Sequence, residues 1–136
     1  MAPLDARRGL QRLCIGALAL VHALGMLGAP FAANLHFGQP DASDHQDFHA
    51  VREAFKYFAA SAACLAIALV PLRRGEPWAW WTMLVACVAL FGGVFVAHAL
   101  SNGGPAIDHW SYGSFLVISI LALAVLRRFP PAPTGR

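Results

Sequence analysis

Three side chains of this chain fall into register for chemistry: His45, His49 and Glu53, each four positions from the next, with Lys56 three further on. On a helix, steps of four bring side chains onto one face, so a helix through this stretch carries two imidazoles and a carboxylate in a single stripe. His-x-x-x-His can place both imidazoles on one ion, and a carboxylate is a suitable third ligand for zinc, iron or manganese. A divalent metal is the cofactor that this pattern points to, with His98 or His109 available to complete the site. Without metal, the same groups suit proton exchange, because histidine titrates near neutrality and a partly desolvated carboxylate can trade protons with it. Glu53, His49 and His98 are accordingly the candidate catalytic set for an isomerisation or hydration of a lipophilic molecule. The plainer alternative is a solvated polar surface, in which Asp44 and Asp47 pair with histidine or Arg52, and Glu53 pairs with Lys56 or Arg52.

Two further residue types bear on cofactors. His22 and His98 suggest bis-histidine haem ligation, but axial ligands must lie at nearly one depth. By rise per residue His22 sits about 16 Å below the end of its apolar run and His98 only about 3 Å. A shared haem is disfavoured, and His22 reads as a neutral, hydrogen-bonded interior residue. Cys14, Cys64 and Cys87 fall one per apolar stretch, with no Cys-x-x-Cys pair. They read as small packing residues, and a quinone-linked thiol oxidoreductase, which needs vicinal or loop cysteines, is set aside.

These groups must be positioned by an unusually apolar chain. Of its 136 residues, 58% are hydrophobic and 12% charged, against about 45–50% and 25% in an ordinary soluble domain. A water-soluble globule is excluded, and so is a separate catalytic or nucleic-acid-binding module, for which no length remains. Four apolar runs, at about 13–33, 53–72, 78–100 and 110–126, each approach or exceed the roughly 17 residues that a span requires. The expected fold is a single all-α integral membrane domain, a four-transmembrane-helix bundle. A cleaved signal peptide is the competing reading of the first run. That run is longer than a usual signal core, however, and Ala29-Pro30-Phe31-Ala32-Ala33 offers no clean cleavage site.

Charge orients the bundle. Eight of the ten basic residues (Arg7, Arg8, Arg12, Arg73, Arg74, Arg127, Arg128, Arg136) fall on one side of the spans, and two (Arg52, Lys56) on the other. The positive-inside rule then places both termini in the cytoplasm. The loops holding Asp41, Asp44, His45, Asp47, His49, Asp108 and His109 consequently face outward, and polarity gathers at one end of the bundle. The net charge of +3 is this asymmetry, not a nucleic-acid patch.

Local signals refine the elements. Arg73-Arg74-Gly75-Glu76-Pro77 predicts a tight helical hairpin, with Gly75 as a helix C-cap and Pro77 starting the next helix. Ser43 or Asp44 suits an N-cap, and Asp47 complements the first-turn dipole of a helix carrying the histidine stripe. Trp78, Trp80 and Trp81 suit the headgroup level, where an indole N–H stays wet. Gly16, Gly25, Gly28, Gly92 and Gly93 predict close helix contacts, within the bundle or between copies. Residues 130–136, rich in proline, are expected to form a short unstructured tail.

In outline the chain resembles bacterial families of small four-span inner-membrane proteins, among them isomerases and mutases of lipophilic molecules; the resemblance is architectural and transfers no residues. Three functions follow as expectations. One is an enzyme or binding protein for a lipophilic small molecule, with its pocket facing outward. Another is an accessory or scaffold subunit of a larger membrane complex. The third is a transporter or channel, working as a homo-oligomer, with Glu53, His22 and His98 along an ion path. The expected setting in each case is the bilayer of a bacterial inner membrane.

Overall fold

The computed structural model describes residues 4–36, 44–101 and 106–131, with side chains described outside 31–45, 98 and 101–109. All regular structure among the described residues is helical: α1 (Leu4–His36), α2 (Asp44–Ile67), α3 (Pro77–Cys87), α4 (Gly93–Ser101) and α5 (Ala106–Arg128). A π-helical turn, Ala68–Leu72, extends α2, and a second, Val88–Gly92, joins α3 to α4 in one continuous rod. Four stretches are long and apolar enough to cross a membrane: Leu4–Pro30, Gln46–Leu72, Pro77–Ala97 and Trp110–Arg128. The expected all-helical pattern, with four helices of membrane-crossing length and apolarity, is therefore present. Its helices overrun the apolar runs at several ends, because polar residues outside a hydrocarbon layer can continue a helix at no desolvation cost.

The rods close into a ring in which α1 packs on α2, α2 on α3, α3 on α5 and α5 on α1. Each chain neighbour runs antiparallel to the last, so every rod lies beside two antiparallel partners and diagonally across from the remaining one. Inward positions recur at steps of three and four. On α1 they are Cys14, Ile15, Leu18, Val21 and His22, on the third rod Ala79, Met83, Cys87 and Phe91, and on α5 Ser119, Ala122, Leu123 and Leu126. That period makes one narrow buried stripe per helix. The opposite faces are covered in large apolar side chains, with Leu27 72%, Val85 66% and Leu121 62% exposed. A surface of this kind suits lipid and would be a severe liability in water.

Each irregularity has a local cause. Pro71 lacks an N–H, and its ring pushes away the carbonyl four residues back, so the end of the second rod widens into the turn Ala68–Leu72. The chain then stops in a Schellman motif: Gly75 N–H donates to the Leu72 carbonyl at 3.0 Å, and Glu76 N–H to the Pro71 carbonyl at 3.0 Å. Gly75 takes a left-handed φ of 73°, which glycine adopts without the Cβ penalty of other residues. A Cβ there would also run into the carbonyl oxygen of Pro131. Pro77 opens α3 at its first turn after an extended Glu76, as the hairpin signal predicted.

The glycines divide. Gly25 permits a true close approach, since a Cβ at this position would lie 2.8 Å from the Ser61 hydroxyl of α2. Among the described residues nothing lies within 4 Å of a Cβ placed at Gly16, Gly28 or Gly93, so these three make no close contact there. Gly92 ends a π-helical turn and Gly93 follows it, where a wider backbone is the more immediate use of two adjacent glycines.

Candidate functional site

Polar chemistry is distributed over three levels of the bundle. At the end away from most arginines, α2 begins at Asp44, so His45, His49 and Glu53 do fall at four-residue steps along one helix. Glu53 Oε1 accepts from Lys56 Nζ at 2.7 Å and from Arg52 Nη2 at 3.1 Å. The same Arg52 Nη2 lies 3.0 Å from His49 Nδ1, and its guanidinium sits 5.9 Å above the Phe48 ring. His49, Arg52, Glu53 and Lys56 thus form one connected group, about half exposed at its charged members. Among the described residues, no three metal-ligating side chains come together. The side chains of His45 and His98, and those of Asp41, Asp44, Asp108 and His109, lie outside the described set, although the backbone places His98 on α4.

The middle level was not foreseen as a group. His22 is fully buried on α1, its Nε2 3.6 Å from the Cys87 sulfur across the diagonal of the ring. It stacks on Phe91 with centroids 5.6 Å apart. Ser119 of α5 lies beside the Cys87 thiol but outside hydrogen-bond geometry, and Ser61 of α2 faces Gly25, one helical turn from His22. Every rod therefore contributes a polar or sulfur atom to this layer. His22 Nδ1, Ser61 Oγ and Ser119 Oγ are buried without a hydrogen-bond partner among the described residues, a condition that costs roughly 1–3 kcal/mol per group. The sequence held a usable signal. Counted from Arg12, Arg73, Pro77 and Arg127 at 1.5 Å per residue, His22, Ser61, Cys87 and Ser119 all lie about 12–18 Å deep.

Just above this layer, the Tyr57 hydroxyl donates to the Leu90 carbonyl at 2.9 Å. Leu90 lies inside the turn Val88–Gly92, where the wider winding breaks the regular pairing of carbonyls along the helix. Tyr57 also meets Tyr112, centroids 6.0 Å apart, so one aromatic side chain ties α2 to two other rods.

At the arginine end, cations rest on rings. Arg127 lies 4.9 Å over Trp80 and 5.1 Å over Trp81, while Arg7 and Arg128 approach Phe129 at 5.5 and 5.8 Å. The Trp80 indole N–H donates to the Leu123 carbonyl at 2.7 Å, so this tryptophan faces the bundle, while Trp78 and Trp81 are exposed. Gln11 Nε2 donates to the carbonyls of Phe129 and Pro130, both at 3.0 Å, which pins the start of the proline-rich tail. An open pocket of about 220 Å³ lies here, lined by Leu72, Gly75, Glu76, Pro77, Trp80, Leu126, Arg127, Pro130 and Pro131.

No protein-family model, no curated protein and no solved structure matches the chain. Four apolar helices are compatible with a small multi-pass membrane protein, and the functional reading rests on the chain's own chemistry.

Proposed function

We propose that this is a four-span protein of a bacterial inner membrane, both termini cytoplasmic, that works by binding: it holds a lipophilic molecule with an acidic head at its outer rim. The arginine asymmetry supports the orientation. The observation that carries the binding role is the connected group His49, Arg52, Glu53 and Lys56, in which a single carboxylate already accepts from two cations. Arg52 and Lys56 are the two cations of this end and stand one turn apart, and Phe48 and Phe55 are exposed along the same helix at 62% and 71%. A pair of cations one turn apart beside exposed aromatic rings suits an amphiphile bearing a carboxylate or phosphate. A carboxylate held by two cations is better placed to fix those cations than to exchange protons.

Photo-crosslinking from a benzophenone side chain at Phe55 in whole cells tests the proposal. One discrete small-molecule adduct is expected, with a yield that drops about tenfold in the double variant Arg52→Gln, Lys56→Gln, the equivalent of 1.4 kcal/mol. Equal yield from the variant would remove the rim as the binding site. An alkaline phosphatase fusion after Arg136 is expected to be inactive, and an active one would invert the orientation.

A second reading uses the same stretch as a metal half-site, favoured by the start of α2 at Asp44, which puts His45, His49 and Glu53 on one unbroken helix. Elemental analysis of the purified protein separates the two. Near-stoichiometric zinc, iron or manganese that disappears in His49→Ala would support ligation, with His98 as a further ligand or, beside Glu53, as an acid–base group.

A further inference from the structure

The arginine end of the bundle combines an open, largely apolar pocket with cations that have no acidic partner among the described residues. Stacking occupies the flat face of a guanidinium and leaves its N–H edges available for the bidentate contacts that phosphate oxygens favour. The Arg127 guanidinium lies 4.9 and 5.1 Å from the ring centres of Trp80 and Trp81 at the pocket wall, and because these rings stand at 89° to each other it lies flat on one of them at most. Arg7, over Phe129, keeps a shielded Nε with no hydrogen-bond partner among the described residues. Among the described residues neither of these, nor Arg73, Arg74 or Arg128, has a carboxylate within ion-pair distance. The one acidic side chain in the pocket lining, Glu76, accepts from the Trp78 indole N–H at 2.6 Å. The contrast with the opposite end, where Glu53 sits between two cations, is direct.

We propose that this pocket binds an anionic phospholipid of the adjoining leaflet, its phosphodiester on Arg127 and neighbouring arginines and its glycerol and upper acyl segment against Leu72, Pro77, Trp80 and Leu126. The proposal rests on the reading of the chain as membrane-spanning. Charge complementarity identifies the occupant, since a zwitterionic lipid carries no net charge for unpaired arginines to neutralise. Position agrees, because the pocket lies at the ends of the spans, where headgroups begin. The geometry also explains why the tail is pinned: Pro130 and Pro131 form one wall of the pocket, held by Gln11 and seated on Gly75.

Tryptophan fluorescence reads the site directly. The full chain carrying Trp110→Phe, which removes the tryptophan outside this end, is reconstituted in phosphatidylcholine vesicles with a minor fraction of phosphatidylglycerol. Bromine is placed on the acyl chains of one lipid or the other. Quenching by brominated phosphatidylcholine alone establishes insertion, and its absence would defeat the membrane-spanning reading separately from the lipid site. At equal mole fraction, brominated phosphatidylglycerol is expected to quench more. The underlying relative affinity should fall about fivefold for each arginine removed, both in Arg127→Gln and in the double variant Arg73→Gln, Arg74→Gln. The second variant touches no ring contact and guards against misfolding of the first. Equal quenching by the two lipids overturns the proposal, as does a preference that survives in both variants. A preference that emerges only after removal of residues 132–136 would assign the pocket to the chain's own tail and overturn it as well.

Discussion

The two ends of the bundle use the same chemical group in opposite ways. At the Glu53 end Arg52 is tied to a carboxylate and a histidine on its own helix, within one turn. At the arginine end Arg127 lies against two rings of α3, a different rod, while the Trp80 indole beneath it is bonded to an α5 carbonyl. The first arrangement is local, and such pairs exchange one solvated contact for another, worth about 0–1 kcal/mol. The second is tertiary, because stacked rings and buried indoles bring packing area with them. Cations at the arginine end are thus part of how rods hold together, whereas those at the Glu53 end pair, among the described residues, within a single helix.

That contrast is open to attack, beginning where the effect is largest. Trp80→Ala removes a stacked ring and an inter-rod hydrogen bond together, and is expected to cost about 3–5 kcal/mol in reversible unfolding from mixed micelles. Gly75→Ala comes next. A non-glycine residue at this left-handed φ costs about 1–2 kcal/mol, and the new methyl must also displace Pro131, so a lower midpoint together with faster proteolysis of the tail is expected. Tyr57→Phe loses the hydroxyl that serves the Leu90 carbonyl, with a cost of about 1 kcal/mol. Smallest of all, Glu53→Gln should change stability by under about 1 kcal/mol and abolish whatever salt dependence that end contributes. If Glu53→Gln proved as damaging as Trp80→Ala, the rim would be structural and the comparison would collapse.

What could be read in advance followed the range of each signal. The four long apolar helices, the hairpin at Arg73 to Pro77 and the start of α2 at Asp44 depend on composition and on residues a few positions apart, and the structure shows all three. The metal and acid–base readings of His45, His49, Glu53 and His98 stay proposals, because helical spacing establishes alignment on a face without establishing what meets it. The diagonal contact of His22 with Cys87 joins rods separated by 65 residues, which no periodicity encodes, although equal depth below the arginines hinted at it. Trp80 was grouped with its neighbours as an interfacial indole. Only the placement of α5 beside α3 turns it inward, and the same placement brings Arg127 to the wall of a pocket.

The π-helical turn at Val88–Gly92 amounts to one surplus residue wound into the third rod. Its two halves therefore owe their facing to an insertion, and deleting Ala89, exposed on that turn, would return the rod to ordinary α winding with Met83 and Phe95 still directed as before. Most transmembrane helices cannot lose a residue without rotating everything beyond it by about 100°. The third rod carries slack, and its length is free to change by one.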